Sequence, residues 1–90
     1  SFGDRRTERI HDGKRAKGFP GDLQEAAFRK LDMLRRATAL PDLRVPPGNR
    51  LEALKGRWKG FHSIRINEQW RIVFQWNQGD AEAVRIVDYH

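Results

Sequence analysis

Residues 62–76 decide how this chain folds: His62-Ser63-Ile64-Arg65-Ile66-Asn67-Glu68-Gln69-Trp70-Arg71-Ile72-Val73-Phe74-Gln75-Trp76. Ile64 and Ile66 share one side of an extended segment. Trp70, Ile72, Phe74 and Trp76 alternate with Arg71, Val73 and Gln75 in the next, the period-two pattern of a half-buried strand. Asn67-Glu68-Gln69 between them reads as a tight turn, so the two strands are antiparallel neighbours. Residues 77–80 turn the chain again into a last strand over 81–89. On the other side, residues 50–54 form a short strand candidate closed by Gly56 and Gly60.

Upstream of Asn49 the period changes from two to that of a helix. Leu23, Ala27, Leu31, Leu34 and Ala37 recur at helical spacing, Phe28 broadens the stripe, and Gln24, Arg29, Asp32, Arg35 and Arg36 form the charged opposite face. The pattern predicts an amphipathic helix over 23–38, started by a capping box of Asp22 and Glu25 and ended by Pro41. Pro46-Pro47-Gly48 should exclude regular structure before Asn49. A shorter helix, capped by Asp4, should run to about Asp12 and stop at Gly13. Residues 14–18 are a basic connector, and Phe19-Pro20-Gly21 is a turn. The expected architecture is α+β, two N-terminal helices packed on one face of a small twisted antiparallel sheet. Residues 1–90 read as a single domain. The opening Ser1-Phe2-Gly3 suggests a first strand, of which a few residues precede this sequence.

The chain has 90 residues, 18 Lys+Arg against 12 Asp+Glu, a formal net charge of +6 and no cysteine. Disulfides, thiolate nucleophiles and cysteine-type zinc sites are therefore excluded. No apolar run reaches the ~20 residues of a membrane span, and no signal-peptide pattern is present. This fits a cytoplasmic protein with no membrane partner. The basic excess makes an anionic partner the first hypothesis, and a surface that is merely basic the alternative. The excess is uneven. Residues 1–20 carry six basic and three acidic groups, residues 46–79 carry six and two, and residues 80–90 carry one and three. The candidates for contacting nucleic acid are Lys14, Arg15 and Lys17 in the connector, and Arg50, Arg57, Lys59 and Arg65 further on. The second group is interleaved with Trp58, Phe61, Trp70 and Trp76, a mixture suited to single strands, in which cations track phosphates and rings stack on bases. For most of these rings the strand pattern favours the core.

Titratable candidates are few. His11 suits the end of a helix, where a cation is favourable, and His62 suits a core or surface position. His90 follows Asp88-Tyr89, and alternation puts Asp88 and His90 on one face, so that the carboxylate can orient the imidazole and raise its pKa. A solvated tail is the competing description. Glu52 can accept a proton from a hydroxyl, and Lys55 can neutralise a phosphate. Arg71 must project from the face opposite Trp70 and Phe74, with a fork suited to a phosphate that gains charge. No metal-ligand spacing and no Gly-rich phosphate loop is visible, so no cofactor is expected and phosphodiester cleavage would be metal-independent.

Leu54-Lys55-Gly56, Ser63-Ile64-Arg65-Ile66-Asn67-Glu68-Gln69-Trp70-Arg71-Ile72-Val73-Phe74 and the closing Val87-Asp88-Tyr89-His90 together resemble HigB-type toxins of the RelE/ParE toxin–antitoxin superfamily. The likeness covers nearly the whole chain. It implies a RelE-like fold with its active site on the concave surface of the sheet. It also implies an mRNA interferase, a ribosome-dependent endoribonuclease that cuts messenger RNA in the A site beside ribosomal RNA and is neutralised by a HigA-like helix-turn-helix antitoxin. By the same resemblance the family's lysine falls on Lys55, its arginine on Arg71 and its terminal triplet on Asp88, Tyr89 and His90. One position departs: several HigB relatives have histidine where this chain has Glu52. In a sister branch similar to YoeB, glutamate holds that place and is read as the general base.

The implied reaction is attack of the RNA 2′-oxygen on its own adjacent phosphorus. Glu52 would accept the 2′-hydroxyl proton and His90, held charged by Asp88, would protonate the leaving 5′-oxygen. Lys55 and Arg71 would stabilise the developing charge, and Tyr89 would stack on a base or donate a hydrogen bond. Two other functions compete: a ParE-like toxin that poisons DNA gyrase, and a non-catalytic basic nucleic-acid-binding module.

Overall fold

The computed structural model of the chain describes residues 1–88. Helix α1 is Arg5–His11, helix α2 is Gly21–Arg36, and four strands follow: β1 Glu52–Ala53, β2 His62–Arg65, β3 Trp70–Asn77 and β4 Asp80–Asp88. The strands lie in the order β1-β2-β3-β4, each pair antiparallel. Sequential antiparallel order is what short connections impose. Asn67 Oδ1 accepts from the N–H of Gln69 and of Trp70, both at 2.9 Å, which closes the β2–β3 turn. Gln78 and Gly79 both have positive φ (51° and 81°), the backbone pattern of a two-residue hairpin between β3 and β4.

Both helices lie on one face of the sheet. Ile64, Ile72, Phe74, Val84 and Ile86 form a core with Ile10 of α1 and with Leu23, Ala27, Leu31 and Leu34 of α2. Asp4 caps α1 as expected, its Oδ1 accepting from Thr7 N–H at 2.8 Å. The buried Thr7 hydroxyl in turn accepts from Ile86 N–H at 3.0 Å, pinning the helix to β4. Phe2 bridges Val84 in parallel, placing the N-terminal residues alongside β4.

Four local expectations are corrected. Helix α2 starts at Gly21 with Pro20 as its N-cap and no side-chain cap, so the Asp22–Glu25 box does not form. Proline already holds the pre-helical backbone at φ −56°, and the entry needs no side-chain acceptor to set its direction. The helix ends at Arg36, because Ala37 is extended; Pro41 lies beyond, inside a 3-10 turn, Leu40–Arg44. A second 3-10 turn, Pro47–Asn49, follows where no regular structure was expected. Proline is tolerated in a first turn, where its missing N–H has no partner to lose. Finally, β3 is not half-buried along its length, since Arg71, Ile72, Val73 and Phe74 are all buried in succession. The helix-free face is thus covered as well in its middle.

The side chain of Asn49 is the hub between α2 and the strands. It is fully buried; its Nδ2 donates to Leu43 O at 3.1 Å, and its Oδ1 accepts from Lys30 Nζ of α2. Burial, and then the neighbouring Arg29, hold the Lys30 ammonium below its ordinary pKa. Arg50 follows in the left-handed conformation, φ 46°, which fixes the direction of its carbonyl just before β1.

Candidate functional site

Strand register sorts the candidate residues onto faces. Glu52 pairs Ser63, Ser63 pairs Val73 and Val73 pairs Arg85, so these four form one row across the sheet. Arg65, Arg71 and Val87 form the next row. Paired residues in antiparallel strands share a face, and here it is the one away from the helices. Parity alone predicted this side for Arg71.

Among the described residues, the guanidinium of Arg71 is held from three directions. Its Nε donates to Ser63 Oγ at 2.8 Å, its Nη2 donates to the Arg50 carbonyl at 2.6 Å, and Nη2 stands 3.5 Å from Glu52 Oε1. The Arg71 side chain is 9% exposed, and that of Glu52 is 47% exposed. A fixed, largely desolvated cation therefore supports a carboxylate that solvent and solute can reach. Removing rotamer freedom from Arg71 before any ligand arrives lowers the ordering cost of binding an anion there.

The other candidates are more scattered. Lys55 is exposed, three residues from Glu52, at the entry to a 3-10 turn, Gly56–Trp58. Arg57 and Lys59 are exposed on that turn, and Arg65 is half-buried beside Arg71 in register. Arg50 is exposed, and its carbonyl is the group bonded to Arg71. Lys14, Arg15 and Lys17 belong to the connector between the helices, not to the Glu52–Arg71 row. Gln24 of α2 clamps this connector by pairing with both backbone groups of Ala16, at 3.0 and 3.2 Å. Arg9 Nε adds a bond to Arg15 O at 2.9 Å. Phe19 at the connector's end meets Trp70 edge-on, ring centres 5.3 Å apart, and the Arg6 guanidinium carbon lies 4.6 Å from the Phe19 ring centre. The basic connector is therefore anchored where β3 begins.

Asp88 pairs with Trp70, on the helix side in register, and accepts from Gln69 Nε2 at 3.1 Å. It is thus at the end of β4, out of the row that holds Arg71. Tyr89 and His90 lie outside the described residues. Among the described residues, no three His, Cys, Asp or Glu side chains converge as metal ligands, and no helix is long and apolar enough to cross a membrane. Ser63 escaped the sequence reading; its one signal was a hydroxyl between His62 and Ile64 in a strand, and its importance depends on the register that brings it to Arg71. Trp58 and Phe61 meet edge-to-face with ring centres 5.1 Å apart.

An α+β chain with its helices on one face of an antiparallel sheet, and a carboxylate–guanidinium pair on the other, has the build of a RelE-like toxin. A family model described as the RelE-like toxin of type II toxin–antitoxin system HigB matches residues 1–90, and the chain belongs to that HigB-like toxin family. Membership implies a cognate antitoxin. Toxin HigB-1 of Vibrio cholerae is 48% identical over 81 residues, covering 89% of this chain and 85% of the relative. Endoribonuclease HigB of Proteus vulgaris is 44% identical over 41 residues, covering 46% of this chain and 45% of that protein.

Proposed function

We propose that this toxin is an endoribonuclease that cleaves messenger RNA on the ribosome, in the cytoplasm, by metal-independent attack of the 2′-oxygen. The observation that carries the proposal is the accessible Glu52 carboxylate 3.5 Å from the clamped Arg71 guanidinium. The name of the Proteus vulgaris relative supports the same activity. In this scheme Glu52 takes the 2′-hydroxyl proton as the 2′-oxygen bonds to phosphorus. The bond from phosphorus to the 5′-oxygen breaks, and His90 returns a proton to that oxygen, leaving a 2′,3′-cyclic phosphate. Arg71 and Lys55 stabilise the additional negative charge on the phosphoryl oxygens. Asp88 is assigned to orienting His90, and Tyr89 to the flanking base. Arg50, Arg57, Lys59 and Arg65 meet the message, while Lys14, Arg15 and Lys17 meet ribosomal RNA. The ribosome supplies the substrate alignment that so small a domain offers little surface to impose. A HigA-like helix-turn-helix protein is the proposed antitoxin.

The test is translation of a defined message with and without the protein, with the new 5′ ends mapped. Cuts in register with codons, retained in EDTA under conditions that keep ribosomes whole, are the expected result. Supercoiling defects without cuts, or salt-sensitive binding without product, would replace this proposal with a gyrase poison or a binding module. Replacing His90 with Gln should slow cleavage by about 10²-fold or more.

A further inference from the structure

The turn between β1 and β2 carries Lys55, Arg57 and Lys59, and its aromatic residue Trp58 meets Arg85 of β4. The N–H of Leu54 donates to Phe61 O at 2.9 Å and closes the base of the turn. Inside it, the N–H groups of Trp58, Lys59 and Phe61 donate to Lys55 O, Gly56 O and Trp58 O. Gly56 and Gly60 stand at positive φ, 66° and 94°, and a Cβ on either would meet nothing within 4 Å. The two ends of the turn thus lie in open space. The tip does not. The Trp58 ring, braced edge-on by Phe61, lies 5.9 Å from the guanidinium carbon of Arg85. Arg85 is on β4, three strands away from β1, so the turn folds across the helix-free face to make this contact.

Arg85 is itself fixed in place. Its Nη2 donates to Gly3 O at 3.2 Å, and a Cβ on residue 3 would meet Arg85 Nε at 2.6 Å, so the side chain lies flat across the glycine. Its Nε is buried with no hydrogen-bond partner among the described residues. A cation that has given up water on one side gains from the face of an indole, the best of the aromatic partners for it. A β-bulge lies just ahead of it in the chain, with Ala83 at φ 52°, and turns the strand as it reaches Arg85.

We infer that Trp58 and Arg85 are positioning residues for the proposed cleavage: their contact latches the 55–61 turn across the sheet and thereby holds Lys55 toward the Glu52–Arg71 pair. Neither residue touches the reacting atoms. This rests on the assignment of Lys55 to the reaction, which Lys55→Ala tests separately. Full activity of that variant removes the assignment; its inactivity upholds it and leaves the latch to be judged by hydrogen exchange and by rate.

Hydrogen exchange needs no activity. In Arg85→Ala, amide exchange at Trp58, Lys59 and Phe61 should speed up, while the amides of Ile72 and Phe74 keep their protection. Unchanged exchange in the turn overturns the latch. The rate is that of cleavage on saturating ribosome-bound message. Trp58→Ala and Arg85→Ala should each reduce it by up to about 10²-fold, the scale of an ångström-sized misplacement, with little change in the half-saturating ribosome concentration. The double variant should be no slower than the slower single, and Trp58→Phe should recover much of the rate. Additive losses, or an effect confined to half-saturation, would show that each residue grips RNA independently and would sink the proposal.

Discussion

On the face that the helices cover, Ile64, Ile72, Phe74, Val84 and Ile86 meet the apolar stripes of α1 and α2. One position over in the same strands, Glu52, Ser63, Arg71 and Arg85 face the other way. The first face is closed by non-directional burial, which tolerates any shape that fills the space. The second carries directed bonds at Arg71 and, at Arg85, the Trp58 ring 5.9 Å away. Since the period of a strand is two, residues of opposite parity on β3 face opposite ways: Phe74 fills the core on the helix side, and Arg71 anchors the exposed Glu52 on the other. If the proposed site is right, the arrangement divides stability from chemistry across the thickness of one sheet, and substitutions on the two sides should fail in different ways.

The largest effect is expected on the helix side. Phe74 is fully buried, and Phe74→Ala should cost about 3–5 kcal/mol, read from the urea midpoint at unchanged slope. Such a loss is enough to leave so small a domain largely unfolded. A loss below about 1 kcal/mol, the range of surface changes, would break the division between the two faces. On the other side, Glu52→Gln should lower cleavage about 10²–10⁴-fold while the urea midpoint stays near that of the parent, because the side chain is half exposed. A midpoint that falls in step with activity would show the carboxylate to be a structural brace.

Asn49 joins the two faces, and Asn49→Ala should be intermediate. It leaves Leu43 O and Lys30 without their partner, at about 1–3 kcal/mol. Because Asn49 directly precedes Arg50, whose carbonyl accepts from Arg71 Nη2, a loosened Asn49 should also slow cleavage; normal activity in the folded variant would limit Asn49 to stability. The smallest effect belongs to Asp42, exposed in the 3-10 turn Leu40–Arg44. Hydrogen bonds from the N–H of Ala39 and then of Thr38 hold its carboxyl below the ordinary value of 3.8. A depressed carboxylate contributes stability that is present above that value and lost as pH falls through the lowered one. Asp42→Ala should therefore melt below the parent at pH 7, and the gap should shrink as acid is added. A gap that persists at the lowest pH would mean that packing, not charge, is responsible.

The sheet was legible because β2 and β3 pair across a three-residue turn and their apolar residues repeat every second position. Parity alone also put Arg71 on its correct side. The grip on Arg71 was not legible, because it depends on Arg50 adopting a left-handed backbone and on Ser63 being brought opposite Val73 by register. Neither leaves a local mark in the sequence. Asp88 shows the same limit, since alternation along β4 relates it to its neighbours but only pairing with Trp70 reveals its face. The start of α2 misled for a different reason: Asp22 and Glu25 have the spacing of a capping box, yet the Pro20-Gly21 entry begins the helix before that box can act.

The brevity of β1 has a consequence for the free protein. A sheet border offers unpaired N–H and C=O groups to any passing extended chain, and a long flat border invites stacking into aggregates. Here that border is two residues long, and one of them is the charged Glu52. So short a template offers a foreign strand little to pair with at this border, and the charge on Glu52 adds a desolvation cost to any such pairing.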